Sequence, residues 1–86
     1  MDEKIVVNKN KSQERIDALA KDIEERAKRE AECGFTSFQI ILYGTSSECY
    51  GAIDQVEKFG ISVAERGFES FGLGSDSFCR IKFVIQ

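Results

Sequence analysis

Two glycines, Gly34 and Gly60, separate segments whose apolar residues repeat with different periods, and this alternation limits the fold more than any other feature of the chain. Before Gly34, Ile16, Leu19, Ala20, Ile23 and Ala27 follow the i, i+3, i+4, i+7 spacing of one helical face, while Asp17, Lys21, Asp22, Glu24, Glu25 and Lys28 fill the rest. The pattern predicts an amphipathic helix of roughly twenty residues. Ser12 is the expected cap, with Glu14 placing negative charge in the first turn, and Gly34 is the expected residue after the C-terminal cap. Beyond Gly34 the helical period disappears. Residues 35–43, FTSFQIILY, are mostly β-branched and aromatic, and the succession Ile40, Ile41, Leu42 predicts a central strand covered on both faces. Cys49, Ala52, Ile53, Val56 and Phe59 restore a helical stripe, which Gly60 ends. In the last segment Cys79, Ile81, Phe83 and Ile85 alternate with Arg80 and Lys82, and the turn residues GLGSDS after ISVAERGFESF predict a hairpin. A second reading of the same residues continues helix two from Ala64 to Phe68 and leaves only three strands.

Upstream of the first helix, residues 4–8, KIVVN, form a short β-branched run followed by the polar loop Lys9-Asn10-Lys11. The expected order is therefore β-α-β-α-β-β in one α+β domain spanning residues 1–86. Such an order builds a two-layer sandwich, a mixed four-stranded sheet with both helices on one face. A chain of 86 residues has room for one modest core. With seven phenylalanines it carries more apolar surface than two helices cover, which predicts a homodimer or heterodimer burying roughly 1,200–2,000 Å² in total.

The chemistry that the residues allow is narrow. Histidine is absent, which removes the commonest general base and the commonest metal ligand. Cys33, Cys49 and Cys79 lie far apart without a CxxC pair and read as reduced, space-filling thiols, so neither a metal nor another cofactor is expected. Ser46, Ser47 and Cys49 would each need an adjacent base to act as nucleophiles, and no enzyme is expected. The stretch Thr45-Ser46-Ser47-Glu48 instead has the form of a capping box. The same helix start, preceded by Gly44, presents free amides and a positive dipole end to an anion such as phosphate, with Glu48 competing for that place. No apolar run of about eighteen residues exists, and the opening MDEKIVV lacks the pattern of a signal peptide; a cytoplasmic or nuclear protein without a membrane span is expected.

Net charge is −3, unevenly distributed. Lys4, Lys9, Lys11 and Arg15 share a window whose one acidic residue is Glu14, and this is the only locally positive part of the sequence. No broad basic face is offered to a nucleic-acid backbone.

A strand ending in glycine, a turn of small residues and a helix carrying Ala52-Ile53-Asp54 together resemble the middle of the Alba family of archaeal chromatin and RNA-binding proteins, a segment shared by related protein subunits of eukaryotic ribonuclease P and MRP. The family pattern, roughly Gly-x-Gly-x-Ala-Ile-x-Lys/Arg-Ala-Ile/Val-Asp/Asn, falls without gaps on residues 44–54, where Gly44, Ala52, Ile53 and Asp54 match. The opening strand and loop are similar too, and Lys9 falls on a lysine that the family uses for nucleic acid. Ser46 replaces the second glycine, Glu48 an alanine, and Gly51 a basic residue that faces nucleic acid in the family. The hairpin ESFGLGSDS is short and has no lysine or arginine, where many family members carry a long basic arm, and helix one is longer than is usual there. The resemblance implies an Alba-like sandwich that dimerises and binds RNA or DNA through Lys9; the positive window adds Lys11 and Arg15, and the helix start adds Gly44, Thr45 and Ser46, as expected contact residues, with affinity that is weak or partner-dependent. Phe71 and Tyr50 are available to stack on bases, or else to pack in the core or a dimer. The competing reading is a protein-interaction subunit or acidic inhibitor that has lost the basic surface.

Overall fold

The computed structural model describes residues 9–72 and 76–86. Five elements follow one another: α1 (Lys9–Glu32), β1 (Ser37–Tyr43), α2 (Ser46–Glu57), β2 (Ile61–Phe71) and β3 (Phe78–Ile85). The strands form one antiparallel sheet in the order β1-β3-β2, so β3 lies in the middle and α2 carries the chain across it from one border to the other. The protein is thus α+β, two helices over a three-stranded antiparallel sheet. The strand expected at residues 4–8, and with it a mixed four-stranded sheet, lies outside the described residues. No described helix is long and apolar enough to cross a membrane.

Helix α1 begins upstream of the expected cap. Lys9, Asn10 and Lys11, expected as a basic loop, form its first turn. Neither glycine nor proline occurs between residues 9 and 33, so no backbone constraint stops the helix from extending past Ser12. Its far end closes as expected. Gly34 takes φ 87°, its N–H donates to the Ala31 carbonyl at 3.0 Å, and the Phe35 N–H donates to the Glu30 carbonyl at 2.9 Å, the pair of bonds that defines a Schellman closure.

Both helices cover one face of the sheet. Leu19, Ala20, Ile23 and Ala27 of α1 and Cys49, Ala52, Ile53 and Val56 of α2 join Phe38, Leu42, Cys79, Ile81 and Phe83 in a single core. Phe59, expected in the α2 stripe, is instead 66% exposed, because α2 ends at Glu57 and the helical spacing no longer applies two residues later. Strand β1 alternates, Phe38 and Leu42 buried while Ile41 and Tyr43 face outward, and it borders the sheet rather than occupying its centre. The succession of three apolar residues thus reflects one core face and one exposed apolar face.

Strand β2 is not a continuation of α2. It pairs with β3 along its length except at a bulge, where the four residues Ala64 to Gly67 stand opposite Lys82 alone. Arg66 there takes φ 58°, the left-handed region. A Cβ on Gly67 would lie 2.8 Å from the Lys82 carbonyl oxygen and 2.9 Å from that of Ala64, so only glycine fits. Gly67→Ala is expected to destabilise the protein by about 1–3 kcal/mol, because two backbone oxygens must move. Arg66→Gly removes a strained φ and is expected to be neutral or mildly stabilising. Urea denaturation of the two variants beside the parent checks both.

Candidate functional site

The expected site at the start of α2 is built mainly by Glu48. Thr45, the N-cap, has extended backbone (φ −74°, ψ 162°), and its hydroxyl accepts the Glu48 N–H at 3.2 Å. Oε1 of Glu48 accepts the Thr45 N–H at 3.0 Å and the Thr45 hydroxyl at 3.2 Å, which completes the capping box. Oε2 accepts from Arg15 of α1 at 3.4 Å. Only 12% of the Glu48 side chain remains exposed. The chain's own carboxylate therefore holds the place at the helix N-terminus that a phosphate would take. Backbone and hydroxyl hydrogen bonds from Thr45 and the Arg15 charge keep the Glu48 carboxyl below its ordinary value of 4.5, against an opposing effect of burial.

The neighbouring residues serve the same corner. Gly44 leaves room for Glu48: a Cβ on it would meet Oε1 at 3.3 Å and Leu19 Cδ1 at 3.4 Å. Ser46 is tied to β2, its hydroxyl 3.1 Å from that of Ser70. The fold thus brings Arg15, Gly44, Thr45 and Ser46 together, whereas Lys11 pairs with Glu14 at 3.9 Å on the exposed first turn of α1. Lys9 belongs to that turn. Gly51, where the Alba pattern has a basic residue, faces α1: a Cβ on it would stand 3.0 Å from Ile16 Cδ1. A long side chain there would part the two helices. Cys49 is buried against Cys79, and burial, with the neighbouring thiol, pushes its pKa up to about 12. It stays a thiol at neutral pH and is a packing residue.

A second arrangement occupies the helix-free face of the sheet. The pairing Tyr43↔Phe78 between β1 and β3, and Phe71↔Phe78 between β2 and β3, sets one aromatic side chain from each strand in a row. The Tyr43 and Phe78 centroids lie 6.2 Å apart at 45°, and those of Phe78 and Phe71 5.1 Å apart at 19°. Tyr43 is 78% exposed. One rung further along, Ile41, Arg80 and Glu69 align, with the Arg80 guanidinium 5.6 Å from the Phe71 ring centre and bonded to both Glu69 oxygens. On the next rung Gln39 pairs with Lys82. Here the bulge opens a polar hollow of about 140 Å³, where Arg66, Arg80 and Lys82 meet Gln39, Glu65 and Glu69.

Of this face only Phe71 is foreseen by the sequence. Tyr50, the other expected stacking residue, lies on α2 and packs against Phe68 with centroids 4.5 Å apart at 18°. Tyr43 and Phe78 escape notice because their adjacency depends on cross-strand register. The local signal is parity alone: Phe78 shares the outward positions of Arg80 and Lys82, and Tyr43 those of Gln39 and Ile41.

Glu48→Ala is expected to cost about 1 kcal/mol through loss of the capping box. A carboxyl whose folded-state pKa lies below the unfolded value stabilises fully above the unfolded value, here near 4.5, and loses that contribution as pH falls through the folded one. Acid titration of stability should therefore show a limb below pH 4.5 that is shallower in Glu48→Ala. Comparison with protein-family models, curated proteins and solved structures finds no match, and the resemblance to the Alba family rests on the residues alone.

Proposed function

We propose that the chain is a non-catalytic nucleic-acid-binding module that receives single-stranded RNA on the open face of its sheet. The observation that carries this reading is the row Tyr43–Phe78–Phe71, one ring per strand, beside the hollow that gathers Arg66, Arg80 and Lys82. Tyr43 offers its ring to a base at the border of the row, and base–aromatic stacking tolerates any sequence because every base has a π-face. Arg66 and Lys82 take phosphates further along the strands, Arg80 stays bonded to Glu69 beside the row, and Gln39 adds an amide that can meet a base edge. This interface replaces the corner at Arg15 and Thr45, where Glu48 already answers the positive charge.

The acidic balance of the chain makes the affinity modest, a Kd of roughly 10⁻⁶–10⁻⁴ M. About two phosphate contacts give a slope of log affinity against log salt near −1.4 for a single strand. In fluorescence anisotropy with a labelled oligoribonucleotide, Tyr43→Ala and Phe71→Ala should each weaken binding about tenfold, a loss of roughly 1.4 kcal/mol. Arg15→Glu should leave it unchanged. Absence of binding at low salt, or full binding by both aromatic variants, overturns the reading; with no binding at all, the interaction-subunit reading takes its place.

The same reading includes an Alba-like fourth strand. The outer border of β1, SFQIILY, has neither charge nor proline, the devices that usually protect an edge strand. In this reading residues 4–8 would add to that border as the fourth strand. One of Val6→Pro and Val7→Pro would then remove a donor that faces β1, since successive N–H groups of a strand point to opposite sides. Amide exchange along β1 is expected to accelerate in one of the two variants; unchanged exchange in both would exclude the fourth strand.

A further inference from the structure

A separate apolar feature lies where α1 finishes. A groove of about 240 Å³ opens there between Ala27 and Ala31 of α1, Phe59 beyond the end of α2, and Ile61 and Ile85, which pair at one end of the sheet. Its volume falls below the roughly 300–1,000 Å³ of a small-molecule site and suits a single aromatic side chain. Phe59, on its wall, is 66% exposed. The groove therefore carries on its own rim the kind of side chain that fills it.

We infer that the groove is a self-association surface, and that its occupant is Phe59 from a second copy of this chain. An interface around a two-fold axis must be complementary to itself, so that residue i of one copy meets residue j of the other and j meets i. This surface meets the requirement twice. Phe59 supplies the knob and the groove supplies the hole, and the two rings meet near the axis. Glu24 and Lys28 also line the groove, one helical turn apart on α1, and the ion pairs of the described residues involve neither. When two α1 helices cross in opposite directions over this region, Glu24 of each copy faces Lys28 of the other. The small side chain of Ala31, exposed on the rim, lets the helices approach, while Ala27 belongs to the buried floor of the groove. The open face of the sheet takes no part, so pairing and RNA binding rest on different residues and fail independently.

The test is sedimentation velocity on the full chain and its charge variants, up to high micromolar concentration. The parent protein is expected to dimerise. Phe59→Ser, Glu24→Lys and Lys28→Glu should each weaken association about tenfold or more, the first by removing the knob and the other two by setting like charges opposite each other. A mixture of Glu24→Lys with Lys28→Glu should then recover dimers, since every charge pair in the mixed species is again opposite in sign. That recovery also shows that both variants are folded. A parent that stays monomeric, a Phe59→Ser variant that pairs as the parent does, or a mixture that pairs no better than its components overturns the inference.

Discussion

Burial of the inner side of β3 is the constraint on which the other elements depend. Cys79, Ile81 and Phe83 all have 0% exposure, and Phe83 stacks on Phe38 of β1 with ring centres 5.4 Å apart. Full burial of an apolar side chain of this kind stabilises by roughly 1.5–3 kcal/mol. These residues are reachable by both helices only because β3 is central: Ile23 of α1 and Val56 of α2 are equally buried against the same sheet. A border strand could not have held the two helices in one layer so economically, since each would have had a core of its own to complete. The order β1-β3-β2 thus sets where α1 and α2 lie, and with them the corner at Glu48.

The two sides of the sheet treat charge in opposite ways. On the helical side the positive end of α2 is satisfied from within, by a carboxylate three residues into the helix and an arginine reaching from α1. The described residues include no buried polar or charged side chain. On the open side Arg80 is bonded to Glu69 yet remains near an exposed ring, and the bulge holds Arg66 next to Lys82. Charge there is concentrated without being sealed. The strained Arg66 backbone and the glycine after it are what give the hollow its shape, because four residues must fit where the opposite strand has one.

Much of this architecture is legible in the chain because glycine and periodicity act locally. Gly34 and Gly60 end the helices as their positions suggest, and both take positive φ. The stripe Leu19, Ala20, Ile23 and Ala27 is the buried face of α1, and the Thr45 capping box is present as its residues imply. The start of α1 was harder to read, since Ser12 is a good cap and an equally acceptable interior residue, and only the absence of a breaker upstream argues for the longer helix. The bulge left no clear signature, for nothing in AERG distinguishes an irregular strand from a helical turn. The candidate site was legible only where it is local. The corner at residues 44–48 is contiguous in sequence and its capping role was apparent there, while the aromatic row joins three distant strands through register alone.

The central position of β3 also bears on how the molecule is made. Among the described residues, strands β1 and β2 are not neighbours, and each pairs with β3 alone. Until residues 78–85 are in place, β1 and β2 have no strand between them, and the inner faces of Phe38, Leu42 and Ile61 are not joined in one core. Contacts that close only over long stretches of sequence form late and slowly. The state in which β3 has not yet docked is therefore the one in which the described elements show most apolar surface, and the helix pair α1–α2, with Ile16 against Gly51, is the part able to assemble ahead of the sheet.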